Sequence, residues 1–365
     1  MPTIAFVTTC KNRLDYLQRT LPQWMAEEPD EIIVVDYGCP QGAGDWVEAN
    51  WPRVKVVRVD DDPGFCVARA RNQGAAVAQA EWICFIDADV KVRPGWLEWM
   101  RANLREDGFY RAAPVDGVRT QETWGTVIVP RDAWRSVEGF DECFVGWGGE
   151  DADLYDRLVL AGYAERDYPD HFVVAIEHSD EERFMYSAYK TKFEGRRFQS
   201  FYRYAKYVWM TVAGVNGEVP FEQRVYLRRL VDAAFAGAAG GPGKWPEIAF
   251  DVEPGVWVPV GRRVGARCRC VLRLEPQGTR WQGRIVRLVN AVRVFFGILP
   301  IPLFVTPIRA LEGPLVGPVL DVLHGAKASS EVRVKTVVLL GGLPERQRIR
   351  VRCRYELPCV TLPSA

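Results

Sequence analysis

Two aspartates with one residue between them, Asp87 and Asp89, follow the apolar run EWICFI. Two carboxylates this close repel each other unless a cation lies with them. A hard divalent ion that keeps open positions for phosphate oxygens suits such a pair, so the spacing indicates a site for Mn²⁺ or Mg²⁺. A turn with a helix cap is the alternative, because D-x-D also occurs often by chance.

His178 is one of three histidines in the chain and ends the apolar run FVVAIEH. Its imidazole would complete a mixed oxygen and nitrogen ligand shell of the kind that suits Mn²⁺. A lone histidine is more often structural than a metal ligand, but the position at a predicted strand end favours the metal role.

The segment FVGWGGEDADLYDRL places glycines on both sides of Trp147 and acids directly after them. The indole face of Trp147 can stack on a sugar ring, and Gly148 and Gly149 let a substrate approach the backbone closely. Glu150 and Asp151 can accept hydrogen bonds from sugar hydroxyls, and one of them can take a proton as a general base. This chemistry would serve a displacement at a glycosyl carbon.

The later acids of this segment, Asp153 and Asp156, have a simpler interpretation. Acidic residues stabilise the first turn of a helix through its dipole. A solvated acidic helix start behind a glycine hinge is an alternative for the whole segment, and it is the interpretation that we favour for Asp153 and Asp156.

A predicted sheet positions these residues. The first hundred residues alternate short apolar runs, such as TIAFVTT, EIIVVDYG and EWICFIDAD, with amphipathic segments. This alternation is typical of an α/β fold with a mostly parallel sheet covered by helices on both faces. Ligands bind such sheets beyond the carboxyl ends of the strands. Polar residues that follow the strands or reach the same cleft are therefore candidates for substrate binding: Thr9, Lys11, Arg13, Asp36 and Arg71.

Several of these candidates have structural alternatives. Lys11 and Arg13 can neutralise phosphates or can be solvated charges at a helix start. Asp36 can accept a hydrogen bond from a nucleotide base or can cap a turn. Neither GxGxxG nor GxxxxGK[ST] follows the first predicted strand, which argues against a dinucleotide oxidoreductase and a P-loop NTPase.

The chain of 365 residues is long enough for two domains, and its net charge of zero conceals an asymmetry. Residues 260–365 contain eighteen Lys and Arg against six Asp and Glu. This excess suggests an anionic partner, such as phospholipid headgroups, a lipid-linked phosphate, an acidic polymer or nucleic acid; an arginine-rich domain surface is the alternative. Arg284, Arg287 and Arg293 flank an apolar segment at 285–309 that could rest on anionic lipid or be buried in the second domain.

Loop-like sequences at VNGEVP and AGAAGGPGKWP divide the chain. We predict a catalytic α/β domain at residues 1–215, a linker at 216–245, and a smaller, basic, β-rich domain of unknown role at 246–365. The runs RCRCVLRL, VRVKTVVLL and RIRVRCRYEL predict strands in this last domain.

Cysteine usage and the N-terminal sequence indicate the compartment. The nine cysteines lack paired CxxC spacing, which fits free thiols in a reducing compartment. The start MPTIAFVTTCKNR is typical of a first strand and not of a signal peptide. We therefore expect a cytoplasmic protein, with peripheral contact to the inner membrane face as a further expectation.

Several segments resemble motifs of the nucleotide-sugar glycosyltransferases with the GT-A fold, particularly the β-1,4-galactosyltransferases and bacterial family 2-type, chondroitin-polymerase-like enzymes. FVGWGGEDADLYDRL resembles their W-G-W-G-G-E-D-D-D segment, and GTVIVPRDAWRSVEGFDE is similar to the strand and helix before it. IEHSDEER resembles their metal-binding I-R-H-S segment, VTTCKNRLDYL their phosphate-side F-R-N-R entry, and ICFIDAD their D-x-D strand. The resemblance follows the family's order over roughly residues 3–215.

The resemblance implies the GT-A fold and a metal-dependent, inverting transfer of a hexose or N-acetylhexosamine. The donor would be a UDP-sugar, and the acceptor a hydroxyl of a glycan or glycoconjugate. Asp89 and His178 would bind Mn²⁺ (or Mg²⁺), and Asp87 would support the nucleotide sugar. The galactosyltransferases have a methionine ligand three residues before the histidine, where this chain has Ala175.

The resemblance also implies roles around the two substrates. Lys11 and Arg13 would lie near the diphosphate and Asp36 near the base. Trp147 would belong to a small loop that closes over the donor. The two acids after the glycines would hold the acceptor, and the second of them, Asp151, would be the catalytic base.

Two other classes of protein stay open. A sugar-nucleotidyltransferase also uses an α/β sheet with acidic metal ligands, but it would need a glycine-rich basic loop after the first strand, and TTCKNR lacks the glycines. A non-catalytic protein could bind glycans or membranes through the basic C-terminal half. We expect no nucleic-acid partner, and the sequence predicts no particular oligomeric state.

Overall fold

The structure, a computed structural model, describes most of the chain. The described residues are 1–187, 189–215, 219–238, 245–255, 266–276, 331–333, 337–339 and 347–356. The chain divides into two compact units, residues 1–195 and 196–365. The two units are described separately.

The first unit is built on a mixed sheet of seven strands. These are β1 (Ile4–Cys10), β2 (Glu31–Asp36), β3 (Lys55–Arg58), β4 (Trp82–Phe85), β6 (Gly108–Ala112), β7 (Val127–Pro130) and β8 (Ala164–Tyr168). Their order is β3-β2-β1-β4-β7-β6-β8. The first four strands of this order are parallel, β7 is antiparallel to both neighbours, and β6 and β8 are parallel. Two short strands, β5 (Val90–Val92) and β9 (Val173–Ala175), form a separate antiparallel ladder.

Helices connect these strands and cover the sheet. They are α1 (Leu14–Ala26), α2 (Ala43–Asn50), α3 (Val67–Val77), α4 (Trp96–Asn103), α5 (Arg131–Ser136), α6 (Glu150–Leu160) and the short α7 (Asp180–Arg183). All seven residues of β1 are buried, and its successive side chains enter two different cores. Phe6 packs with Trp24 and Trp96 in one core, and Val7 belongs to the other with Phe140. Burial on both faces explains the continuous apolar runs, and it confirms the predicted α/β fold.

One predicted strand is shorter than expected. The run DHFVVAIEH was predicted to be a strand that ends at His178, but β9 ends at Ala175 and a 3-10 turn occupies Asp170–Phe172. Because β9 pairs with β5, which has three residues, the ladder contains three residue pairs. His178 therefore lies in the loop that follows β9.

The second unit contains most of α8 (Lys192–Ala213), all of α9 (Phe221–Ala238), and an antiparallel sheet of five strands. The strands are β10 (Glu247–Val252), β11 (Arg267–Pro276), β12 (Glu331–Arg333), β13 (Val337–Leu339) and β14 (Gln347–Glu356). Their order is β10-β11-β14-β12, and β13 also pairs with β14. RCRCVLRL and RIRVRCRYEL form β11 and β14, which confirms the strands predicted for these runs.

The segment predicted as a linker, residues 216–245, contains the helix α9. Leu227 and Val231 are buried one helical turn apart, but the glycine- and proline-rich sequences around the helix favoured a loop prediction. Phe235 of α9 packs against Phe198 and Phe201 of α8, with ring centroids 5.1 and 5.8 Å apart. This packing joins α8 to the second unit, so the division falls near the start of α8 and not at residue 215.

The membrane-contact hypothesis stays a prediction from sequence. The apolar segment at 285–309, with Arg284, Arg287 and Arg293, lies outside the described residues. Within the described ranges, no helix is both long and apolar enough to cross a bilayer.

Candidate active site

The structure brings Asp89 and His178 together. His178 Nε2 lies 3.0 Å from Asp89 Oδ2, and the two side chains are 11% and 14% exposed, respectively. The β5–β9 ladder causes this contact, because Val90 pairs with Ala175 and Ile176 N donates to Asp89 O at 2.7 Å. Ala175, at the position of the galactosyltransferase methionine, is thus a residue of this ladder.

Helix α1 fixes the backbone on both sides of Asp89. Thr20 Oγ1 donates to the carbonyl oxygen of Ala88 at 2.8 Å. Trp24 Nε1 donates to the carbonyl oxygen of Val90 at 3.0 Å, and both hydrogen bonds are buried. The position of Asp89 is therefore set by the fold.

The donor atoms of this pair fit a divalent cation. In a neutral His178 ring, Nδ1 donates to Ser179 O at 3.2 Å, which leaves Nε2 with a lone pair facing the carboxylate. Two facing lone pairs repel each other unless a proton or a cation lies between them. Adjacent ligands of an octahedral ion, each about 2.1 Å from it, lie about 3.0 Å apart. Carboxylate oxygen and imidazole nitrogen together are donors that Mn²⁺ accepts.

Arg71 joins three predicted site acids in one cluster. Its Nη1 lies 2.5 Å from Asp151 Oδ1 and 3.5 Å from Glu150 Oε1. Its Nη2 lies 2.9 Å from Asp87 Oδ1. Burial lowers the pKa of Arg71, but Asp151, Asp87 and Glu150 raise it by more, so the net pKa lies above its ordinary value. The guanidinium therefore stays charged at the centre of the cluster.

Asp87 and Asp89 have different partners, although their spacing suggested that they share a cation. Asp87 contacts Arg71, whereas Asp89 contacts His178. Burial raises the pKa of Asp87, Arg71 opposes this rise, and Asp89 adds to it. Arg71 thus provides part of the positive charge that the sequence argument assigned to a metal ion alone.

Glu150 begins α6 and is buried beside Asp151. Burial raises the pKa of Glu150 to about 8; Asp151 contributes to the rise and Arg71 opposes it. Among the described residues, Glu150 Oε2 is buried and has no hydrogen-bond partner. A carboxyl group with this pKa carries a proton at neutral pH, so it can donate a hydrogen bond to an incoming hydroxyl group.

We expect Glu150 to make the free energy of unfolding depend on pH. Because the pKa is about 8 in the folded protein and ordinarily 4.5, the folded state keeps a proton that the unfolded state loses. The stabilisation is complete below pH 4.5 and is lost as the pH rises through 8, by about 1.4 kcal/mol per unit of pKa difference. The Glu150→Gln variant has no carboxyl group at this position, so its free energy of unfolding should depend less on pH. Urea unfolding from about pH 5 to pH 9 measures this difference, and identical pH profiles would contradict the assignment.

Trp147 lies in the loop between α5 and α6. Its ring packs edge-on against Phe184 at a centroid distance of 5.5 Å, and the Arg183 guanidinium lies 5.8 Å from the ring centre. Three glycines around Trp147 have φ angles between 86° and 100°, in the left-handed region: Gly146, Gly148 and Gly149. The last of them is the N-cap of α6, so the turn places the acids of the first helical turn next to Arg71.

Sequence reasoning missed Gly125, which lies against the charged cluster. A Cβ atom at this position would lie 2.6 Å from Arg71 Nη2, 3.0 Å from Asp87 Oδ2 and 3.3 Å from Asp151 Oδ2. A side chain at this position would have to displace the ends of these three side chains. The glycine directly before the apolar run TVIVP was the available signal, but its partners are distant in sequence.

Lys11 and Arg13 have protein partners in this structure. Lys11 Nζ donates to Gly64 O at 2.6 Å and contacts the other carbonyl oxygens of loop 62–64. Arg13 Nη1 lies 2.9 Å from Glu182 Oε2. A phosphate group would have to replace or share these contacts, so the phosphate role of both residues stays a prediction.

Asp36 caps the turn after β2. Its Oδ1 accepts from Cys39 N and its Oδ2 from Gly44 N, both at 2.7 Å. These bonds correspond to the turn-capping alternative, and the base-binding role stays a prediction. Thr9 is 8% exposed in β1, where it pairs with Val35.

Asp153 is not the solvated charge that we predicted. It is 1% exposed, and its Oδ2 lies 2.9 Å from Arg157 Nε. The Arg157 guanidinium also donates to the carbonyl oxygen of Val137. An arginine one helical turn later neutralises the acid within the core, whereas Asp156 is partly exposed.

The mixed sheet order agrees with the predicted GT-A fold, and the acids beyond β4 and the carboxylate–imidazole pair lie where the resemblance expects the site. Residues 5–137 match glycosyl transferase family 2, and residues 117–179 match the N-terminal domain of galactosyltransferase. The first unit therefore matches models of two glycosyltransferase families, in agreement with the resemblance. These matches support a glycosyltransferase over the nucleotidyltransferase and the non-catalytic alternatives.

Two glycosyltransferases contain regions that are similar to this chain. Validoxylamine A glucosyltransferase of Streptomyces hygroscopicus subsp. jinggangensis is 27% identical, over 44% of this chain and 52% of its own. Pre-mycofactocin glycosyltransferase of Mycobacterium tuberculosis is 29% identical, over 40% of this chain and 37% of its own. The chain thus spans about half the length, or less, of these relatives. The solved structure of S. aureus TarS 1-349 with UDP-GlcNAc has a TM-score of 0.46 at 15% identity, covering 62% of this chain and 70% of that TarS chain.

Proposed function

We propose that the first unit transfers a hexose or N-acetylhexosamine from a UDP-sugar to a hydroxyl group of a glycan or glycoconjugate. The transfer inverts the glycosyl carbon and uses a divalent ion, Mn²⁺ or Mg²⁺. The observation that carries this proposal is the cluster in which Arg71 holds Asp87 together with Glu150 and Asp151. In this cluster Asp87, which would contact the sugar donor, lies near Glu150 and Asp151, which would contact the acceptor.

Asp151 is the proposed general base. Its side chain is 13% exposed, and its Oδ1 contacts the Arg71 guanidinium. The acceptor oxygen would form its bond to the glycosyl carbon while the bond from that carbon to the UDP oxygen breaks. The hydroxyl proton would pass to Asp151. A single displacement of this kind inverts the configuration.

Glu150 would position the acceptor. Because its pKa is about 8, the protonated carboxyl can donate a hydrogen bond to the acceptor oxygen or a neighbouring hydroxyl. An acid with a raised pKa can position the acceptor while the neighbouring acid takes its proton. Arg71 keeps both acids in place.

On the donor side, Asp89 and His178 would hold the divalent ion. When bound, such an ion offsets negative charge on the departing diphosphate. Asp87 would contact the nucleotide sugar, and Trp147 would stack on its ring from the glycine-rich loop. These roles rest on the positions of the residues and on the resemblance.

We expect transfer to require a divalent ion. EDTA should abolish the release of UDP from a panel of UDP-sugars with a saccharide acceptor, and Mn²⁺ should restore it. His178→Ala should lower kcat/KM at subsaturating Mn²⁺ by at least about 100-fold, since metal stabilisation amounts to several kcal/mol. The measurement is UDP release together with the mass of the product.

His171→Ala is the matched control, because His171 is exposed and packs on Phe172 outside the site. It should retain normal activity and metal dependence. Full activity of the wild-type protein in EDTA would exclude the metal role. Conversion of the UDP-sugar and added pyrophosphate into UTP and a sugar 1-phosphate, without release of UDP, would exclude glycosyl transfer.

A further inference from the structure

Three cysteines meet on the buried side of the second unit's sheet, and the proposed transferase does not use them. Cys268 and Cys270 are two residues apart on β11, so their side chains point to the same face. Cys353 is the direct partner of Cys270 on the neighbouring strand β14. Cys268 and Cys270 are 0% exposed, whereas Cys353 is partly exposed.

The sulfur positions match those of thiolates around one metal ion. Cys270 Sγ lies 3.8 Å from Cys268 Sγ and 3.6 Å from Cys353 Sγ, and all three sulfur atoms lie within 4.8 Å of one another. Sulfurs bound at about 2.3 Å to one ion are about 3.8–4.0 Å apart in tetrahedral or trigonal geometry. The three side chains therefore need little movement to enclose an ion.

The surroundings favour thiolates at this position. Arg267, Arg269 and Arg352, the neighbours of the cysteines along both strands, are exposed on the opposite side of the sheet. Their positive charge would offset part of the negative charge of a three-thiolate site.

We propose that Cys268, Cys270 and Cys353 form a binding site for one soft d¹⁰ metal ion, Cu⁺ or Zn²⁺. Thiolate ligands select such ions, whereas the Mn²⁺ or Mg²⁺ of the transferase site prefers oxygen and nitrogen. Binding would release the remaining thiol protons to solvent and would change no oxidation state. The ion would link β11 to β14 within the second unit.

The test uses the full-length chain, reduced and stripped of metal. The protein is mixed with one equivalent of Zn²⁺, or with Cu⁺ kept reduced, and its nine cysteines are then alkylated. Peptide mapping should show that Cys268, Cys270 and Cys353 are protected from alkylation when one ion is bound per chain. Comparing the two ions identifies the one that binds more tightly. Thiol protection is specific to the cysteines, so an ion bound by Asp89 and His178 does not contribute to it.

Cys270→Ser should abolish this protection, because Cys270 contacts both other sulfurs. Cys143→Ser, a similar change at a buried cysteine of the first unit, should retain it. If Cys270→Ser does not fold, Cys353→Ser tests the partly exposed position. Absence of protection with both ions in the wild-type protein overturns the proposal. So does unchanged protection in Cys270→Ser, or a Cys270–Cys353 disulfide that persists after treatment with a reductant.

Discussion

Asp151→Asn is expected to lower kcat for sugar transfer by about 10²–10⁴-fold, the usual contribution of a general base. Asparagine has nearly the shape of aspartate and can still accept a hydrogen bond from Arg71 through its carbonyl oxygen. It cannot take the proton of the acceptor hydroxyl. UDP binding should remain intact, because the proposed metal ligands Asp89 and His178 contact each other, whereas Asp151 contacts Arg71.

The same substitution on the same helix provides the control. Asp156→Asn changes a partly exposed acid of α6 that does not belong to the Arg71 cluster, and it should retain normal turnover. Kinetics with a saturating donor, together with calorimetric titration of UDP, separate loss of chemistry from loss of binding. Unchanged kcat in Asp151→Asn, or equal losses in both variants, would refute the assignment of the base.

Arg71→Met is expected to lower the free energy of unfolding by about 3–5 kcal/mol, the usual cost of removing one partner from a buried ion pair. Arg71 is the shared cation of Asp87, Glu150 and Asp151, and its side chain is 4% exposed. Methionine fills part of the volume but leaves the carboxylates of Asp87 and Asp151 without that cation. The variant should also show little transfer, since both acceptor-side acids lose their common contact.

Arg69→Met tests whether the loss of stability in Arg71→Met comes from the buried cluster. Arg69 lies two residues earlier on α3 and pairs with the exposed Asp61 at 2.7 Å. Exposed pairs contribute little, so urea unfolding should be almost unchanged in this variant. Equal changes in the two unfolding midpoints would mean that the buried cluster does not stabilise the domain.

The sequence predicts which residues lie at the edge of the sheet better than it predicts which of their side chains contact one another. Asp87, Asp89 and Asp36 follow buried strands, and the periodicity of those strands places them at one edge. The proximity of Asp89 and His178 also agrees with the order of the family motifs. Such a prediction is possible because strand ends and motif order are properties of consecutive residues.

Charge pairing is different, because it joins residues that are far apart in the chain. Arg71 reaches Asp87 across 16 positions and Asp151 across 80, and periodicity gives no information on such a contact. Lys11 likewise contacts loop 62–64 through backbone carbonyl oxygens, which have no signature in the sequence. Asp153 seemed solvated because its helix position alone does not show which face packs inward.

The hydrogen bonds that Thr20 and Trp24 make beside Asp89 have a consequence for the evolution of specificity. They come from α1, whereas Trp147 and its glycines belong to a loop after α5. Under the proposed function, substitutions in that loop change the sugar that is accepted without moving Asp89, the proposed metal ligand. Relatives with different sugars would then differ at the loop and retain a hydrogen-bond donor at the positions of Thr20 and Trp24, a pattern that an alignment of characterised transferases can test.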